Sequence, residues 1–173
     1  MRKILTFFFF LVSVVLTNSG FVKAQSGEGW SLEGEVLTIT SNTPKLEVDK
    51  EEYPDKSWYD LYADQVKTLV FSDGVTVIAD DLVSDNVTVL ARSFHNLIKV
   101  VIGKNVEKIG TGELTGGSGV FSSCYNLTTV EFQTPSKLKL INASSFFNAT
   151  SLQSISLPAS VEEIGYEAFA QCI

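Results

Sequence analysis

Apolar and polar positions recur along the chain in one short order. An apolar residue is followed by any residue, Asn or Ser, Leu, two residues, Val or Ile, one residue, and a large apolar side chain. Phe94 to Ile102, Cys124 to Phe132 and Ala149 to Leu157 follow it, and Ala63 to Phe71 is a weaker fourth copy. Within each copy the spacing Leu-x-x-Val-x-Ile has period two, which predicts a short strand whose apolar side chains point to one face. A second apolar pair follows each copy: Val75 with Ile78, Val106 with Ile109, Leu138 with Ile141, and Val161 with Ile164.

The leading apolar positions Val66, Leu97, Leu127 and Leu152 are 31, 30 and 25 residues apart. The excess can be located. Phe146 and Phe169 each lie five residues after the Ile of their unit, whereas Phe121 lies 12 after Ile109 and Ala91 lies 13 after Ile78; Val83 also lies five after Ile78, in which case the extra residues follow it instead. Insertions of seven and eight, with two extra residues between Phe132 and Leu138, reduce every step to 23 residues. A unit this short cannot bury its own apolar face, but stacked units can, with neighbouring copies pairing as a parallel sheet. Asn96 and Asn126, with Ser151 in their column, are expected at the turn into each strand, satisfying backbone groups of the adjacent coil.

Residues 27–65 do not repeat, and the chain opens on a different pattern. Arg2 and Lys3 precede the apolar run Ile4 to Leu16, and Val22-Lys23-Ala24 supplies a small-residue cleavage site. Thirteen residues are too few to cross a hydrocarbon core, which needs about 20. The pattern predicts a signal peptide cut after Ala24, hence an exported chain, extracellular or at a cell surface, of 149 residues without a membrane span. Trp30, Leu32, Val36, Leu37 and Ile39, with Gly34 among them, read as a hairpin. Pro54-Asp55-Lys56-Ser57 opens a helical stretch carrying Trp58, Leu61 and Tyr62. Residues 25–65 thus predict an N-terminal cap on about four repeats over 66–173.

The segment Leu152 to Cys172, with its Leu-Gln-Ser-Ile-Ser-Leu-Pro-Ala-Ser-Val-Glu-Glu-Ile-Gly core, resembles a unit of the BspA-like leucine-rich repeat family of bacterial secreted and surface proteins. Trp58 to Ile78 is similar to that family's usual entry into its first repeat, and Trp30 to Thr40 to the strand pair that often precedes it. The resemblance implies a leucine-rich-repeat solenoid: a right-handed β/α superhelix, mostly β with short parallel strands, behind a β-hairpin and short-helix cap. It also implies a surface or adhesion role, with host matrix proteins or other cell-surface macromolecules as partners. The chain stops at Cys172-Ile173, where another copy is due, so a fragment of a longer solenoid, a truncated frame or an end-to-end pairing chain is expected.

Charge excludes one class of partner. Apart from Arg2, Lys3 and Lys23 in the leader, 10 basic and 20 acidic side chains remain, a formal charge of −10. Without a basic cluster such a surface repels phosphate backbones, so nucleic acid is not an expected partner. The composition, 45% apolar and 11% aromatic, is that of a folded chain.

No motif carries catalysis, a cofactor or a metal. His95, the single histidine, shares its column with Tyr125 and Thr150, an outward loop position. The run Gly110 to Gly119 lacks Gly-Lys-Ser/Thr, has Thr115 where a dinucleotide loop needs its third glycine, and carries Glu113, which would repel phosphate. The pairs Glu51-Glu52, Asp80-Asp81 and Glu162-Glu163 read as solvated surface, and the acceptor patterns for N-glycosylation begin at Asn86, Asn126, Asn142 and Asn148. Cys124 and Cys172 occupy one inward column with a coil between them, too far apart to bond, so both are expected as free thiols with Cys124 buried.

A non-enzymatic, macromolecule-binding protein is the resulting expectation. Its contact stripe would be the outward positions of the strands: Thr68, Val70, Lys99, Val101, Thr129, Glu131, Ser154 and Ser156. The alternative is a secreted carbohydrate-binding module, which requires Trp30, Trp58, Tyr59 and Tyr62 to lie exposed on one face.

Overall fold

The computed structural model describes residues 24–46, 51–52, 55, 57–79, 94–112 and 119–172. Residues 1–23, Pro54, Lys56, the Tyr59 side chain, Asp80-Asp81, Val83, Asn86, Ala91 and residues 113–118 of the glycine-rich insertion lie outside that set.

Three strands open the described chain: β1 (Gln25–Gly27), β2 (Trp30–Glu33) and β3 (Val36–Ile39). They pair antiparallel in chain order. The β2–β3 connection is two residues long, and Gly34, at φ 58°, supplies the left-handed conformation such a turn needs at its first position. A single helical turn, α1 (Trp58–Tyr62), runs into a 3-10 turn at Ala63–Gln65. Ser57 starts it: its backbone N–H donates to Asp60 Oδ2 at 2.7 Å, and its hydroxyl accepts from the Asp60 N–H at 3.3 Å. This reciprocal arrangement satisfies donors at the helix start.

The remaining strands alternate between two sheets, except that the last two both fall in the second. β4 (Thr68–Phe71), β6 (Lys99–Ile102) and β8 (Thr129–Phe132) join the hairpin in a six-stranded sheet of order β1-β2-β3-β4-β6-β8. From β3 onward its pairing is parallel. The short strands β5 (Val77–Ile78), β7 (Lys108–Ile109), β9 (Leu140–Ile141) and β10 (Glu163–Ile164) form the second sheet, also parallel. Thr68 faces Lys99 and Lys99 faces Thr129, the register that the 31- and 30-residue steps require.

The core lies between the sheets. Val66, Leu97 and Leu127 are fully buried and Leu152 is 4% exposed, so one leucine-type column runs through all four units. Behind it Phe121 stacks on Phe146 with centroids 5.0 Å apart, and Phe146 on Phe169 at 5.2 Å. A third set of coil-to-coil bonds runs along the turns: the N–H groups of Ser123 and Asn148 donate to the carbonyls of Phe147 and Ala170, both at 2.8 Å. Ser123, Asn148 and Gln171, which share a column, all hold positive φ near 60° there.

The fourth unit departs from the expected pattern. Its second half stays attached, with Glu162 N–H donating to Lys139 O at 2.8 Å and β10 paired to β9. Its first half, residues 152–158, has no strand, and the first sheet ends at β8. The Gln153 N–H donates to Ser151 O at 3.1 Å, while its column mate Thr128 donates across to Ile98 O at 3.0 Å. Burial falls accordingly: Phe71 and Ile102 are fully buried, whereas Phe132 and Leu157 in the same column are only half-buried.

Candidate interaction face

In a strand with one buried face, alternate residues project from the other. On β4, β6 and β8 these are Thr68 and Val70, Lys99 and Val101, Thr129 and Glu131, all half-buried except Glu131, which is exposed. The register places Thr68, Lys99 and Thr129 in one row and Val70, Val101 and Glu131 in the next. Six of the eight predicted stripe residues therefore share one sheet face. Ser154 and Ser156 are exposed but do not join the sheet, because the segment that carries them stands off from β8.

Sequence reasoning left out the near end of this face. Val36, 38% exposed, is paired with Thr68, and Thr38 with Val70; Ser31 and Glu33 of β2 continue the same rows. The hairpin lies outside the repeat, so column alignment could not reach it. Its own period-two alternation was the available signal.

Charged side chains act mainly as ties between coils, on this face and beyond it. Lys99 Nζ lies 2.7 Å from Glu131 Oε1, Lys67 2.6 Å from Glu35 and Lys104 2.6 Å from Asp73, and Lys139 pairs with Glu162. Each is solvent-exposed and contributes at most about 1 kcal/mol. The side-chain amides at the entry to the strands form a more regular feature. Gln65 donates to Gly34 O at 2.6 Å, Asn96 to Asp64 O and Asn126 to His95 O, both at 2.7 Å. Ser151, next in the column, has no amide and makes no such bond.

The aromatic residues on which a sugar-binding face would depend are used elsewhere. Trp30 is 6% and Trp58 1% exposed; their rings meet edge-to-face at 5.4 Å, and Trp58 also contacts Tyr62 and Phe94. The Trp30 indole N–H donates to Lys45 O. An exposed aromatic platform of Trp30, Trp58 and Tyr62 is therefore ruled out: these rings are the hydrophobic packing beneath the hairpin.

His95 sits at the surface with Nδ1 3.6 Å from Asp64 Oδ1. Cys124 and Cys172 are both free, Cys124 buried and Cys172 partly so. Burial pushes the Cys124 thiol up to about 12. Cys172 is raised as well, because burial outweighs the opposing backbone hydrogen bond from Ala149. A raised pKa in each case disfavours the free thiolate that a nucleophile uses. Among the described residues no group of three His, Cys, Asp or Glu side chains is placed to hold a metal ion, and no helix is long and apolar enough to cross a membrane.

A leucine-rich repeat protein from Eubacterium ventriosum is 29% identical over 63% of this chain and 25% of its own, with a TM-score of 0.47. The pneumococcal vaccine antigen PcpA is 14% identical over 87% of this chain and 48% of its own, with a TM-score of 0.46. A leucine-rich cell surface protein from Faecalibacterium prausnitzii is 17% identical over 87% and 52%, with a TM-score of 0.37. The chain thus spans from a quarter to about half of the length of these three proteins. No curated protein matches it. The family model for the BspA-type leucine-rich repeat region matches residues 62–173 in six copies, and the chain belongs to that family.

Proposed function

We propose that this is a secreted or cell-surface protein that binds other macromolecules in an adhesion-type role and catalyses no reaction. In this reading residues 1–24 are a leader removed after Ala24, the hairpin and α1 cap residues 66–173, and the repeats stack as a right-handed solenoid. The observation that carries the reading is the continuous outward face of β2, β3, β4, β6 and β8. It offers rows of half-exposed, chemically mixed side chains on strands fixed from behind by a fully buried apolar column. Thr68, Val70, Lys99, Val101, Thr129 and Glu131 form its centre, while Ser154 and Ser156 lie beyond β8 on the segment that stands off from it.

Capture of host matrix proteins by the immobilised chain, run beside a glycan array, tests the assignment. Lys99→Glu combined with Glu131→Lys keeps the ion pair but reverses the charge pattern, so the fold should persist while affinity for a captured matrix protein falls. Unchanged affinity would remove this face from the interaction. Signal on the glycan array alone would replace a protein partner with a carbohydrate.

A further inference from the structure

The open side of β8 leads beyond this reading. In a parallel ladder both backbone groups of a given residue point to the same neighbour, and successive residues alternate. Thr129 and Gln133 donate to Ile98 and Ile102 of the β6 coil, so Val130 and Phe132 direct their N–H and C=O groups to the other side. No strand among the described residues pairs there. Between β8 and residues 154–160 lies instead a groove of about 890 Å³, with Val130, Phe132, Ile155 and Leu157 as its apolar lining and the hydroxyls of Thr129 and Ser154 among its polar groups.

Two residues of the chain's own segment lack donors that other copies use to hold this strand in place. Ser151 lacks the amide with which Gln65, Asn96 and Asn126 latch successive coils. At the other end, Ser72 and Gln133 donate their N–H to Ile39 and Ile102 at 2.9 Å, and the equivalent residue is Pro158, which has no N–H to give. The strand that the repeat would place against β8 has lost a donor at each end.

We infer that this groove is a strand-addition site, and that the partner proposed above presents an extended polypeptide segment to it. The inference rests on that function and specifies its partner. A β backbone is the chemistry that fits, since donors and acceptors repeat along β8 every two residues, about 6.6 Å, the spacing of another strand. The ladder from β3 through β4 and β6 to β8 keeps one register, and the added segment continues it with apolar side chains directed between Val130 and Ile155. Carbohydrate lacks that backbone repeat, and the groove has no aromatic platform beyond the half-buried Phe132.

The test uses a capped hexapeptide, Leu-Gln-Ser-Ile-Ser-Leu, which copies the column pattern of residues 152–157, and a control with proline at its fourth position. Titration into the protein, followed by amide hydrogen exchange, should show saturable binding of the first peptide alone and slower exchange at Val130 and Phe132. Ser151→Asn restores a donor that can reach the Tyr125 carbonyl and pull the chain's own segment onto β8. It should weaken peptide binding about fivefold, the worth of one hydrogen bond. Three results would overturn the inference: no saturation, binding without protection of those two amides, or exchange in the free protein already as slow as at Val100 and Ile102. A captured matrix protein that leaves Val130 and Phe132 unprotected would sink strand addition and leave the adhesion reading standing. Peptide binding with protection, but no macromolecule held, would do the reverse.

Discussion

Leu127 is the position at which the stacked core is most directly tested. It is fully buried in the column between Leu97 and Leu152, themselves 0% and 4% exposed. Leu127→Ala removes three carbons, and at about 0.8 kcal/mol for each buried carbon the transfer cost alone is about 2.4 kcal/mol. The cavity adds to this, by about 1.2 kcal/mol for every 50 Å³ left open. Collapse is limited because the backbone on either side is held at both ends. Asn126 is bonded to His95 O at 2.7 Å, and Thr129 and Gln133 to the β6 coil at 3.2 and 2.9 Å. A total near 3.5 kcal/mol is expected, within the usual range for such truncations. Leu152→Ala should cost less, about 2 kcal/mol, because the groove beside residues 154–160 lets its surroundings relax. Urea unfolding followed by circular dichroism gives both values, with a shared slope as evidence that both variants unfold over the same surface. A loss below about 0.5 kcal/mol for Leu127→Ala, as at an exposed site, would refute the column and the register built on it.

Three further outcomes are expected. Asn126→Ala deletes the amide that holds His95 O, and should cost about 1 kcal/mol in the same assay, whereas Ser151→Ala, in the same column but without the bond, should cost almost nothing. With its folded thiol at about 12 against an unfolded value of 9.0, Cys124 keeps its proton while the unfolded chain loses one. Its contribution is therefore complete below pH 9 and declines up to pH 12, so Cys124→Ala should flatten the loss of stability with rising pH in that window. Alkylation of the native protein at pH 8 should modify Cys172 well before Cys124, and the denatured, non-reduced chain should present two free thiols.

Much of this architecture was legible because the repeat makes the same statement several times. Leu97 alone is one apolar residue. Its alignment with Val66, Leu127 and Leu152 fixes an inward column, and the alternation that follows fixes which side chains face out. The same columns foretold the amide ladder at Asn96 and Asn126, since a polar residue held between apolar strands must serve the neighbouring backbone. Gln65 was overlooked because it is one carbon longer, yet its bond to Gly34 O is the same bond. The hairpin's part in the outward face was hidden for a different reason: β3 joins the parallel sheet from outside the repeat, so no column predicts its register.

The fourth unit shows where column reasoning stops. Leu152, Ile155 and Leu157 fit the apolar pattern as well as any copy, and pattern alone predicts a strand on β8. Apolar periodicity, however, fixes only which way side chains face; pairing also requires donors at the right places on the backbone. Ser151 and Pro158 satisfy the first condition and remove two contributions to the second. Each such hydrogen bond contributes about 1 kcal/mol, so losing both weakens the pairing of a short strand with one neighbour, while the stacked Phe146 and Phe169 rings and the β9–β10 pairing keep the rest of the unit attached. The substitutions that matter most for the site are thus the two polar-column changes that apolar pattern matching passes over.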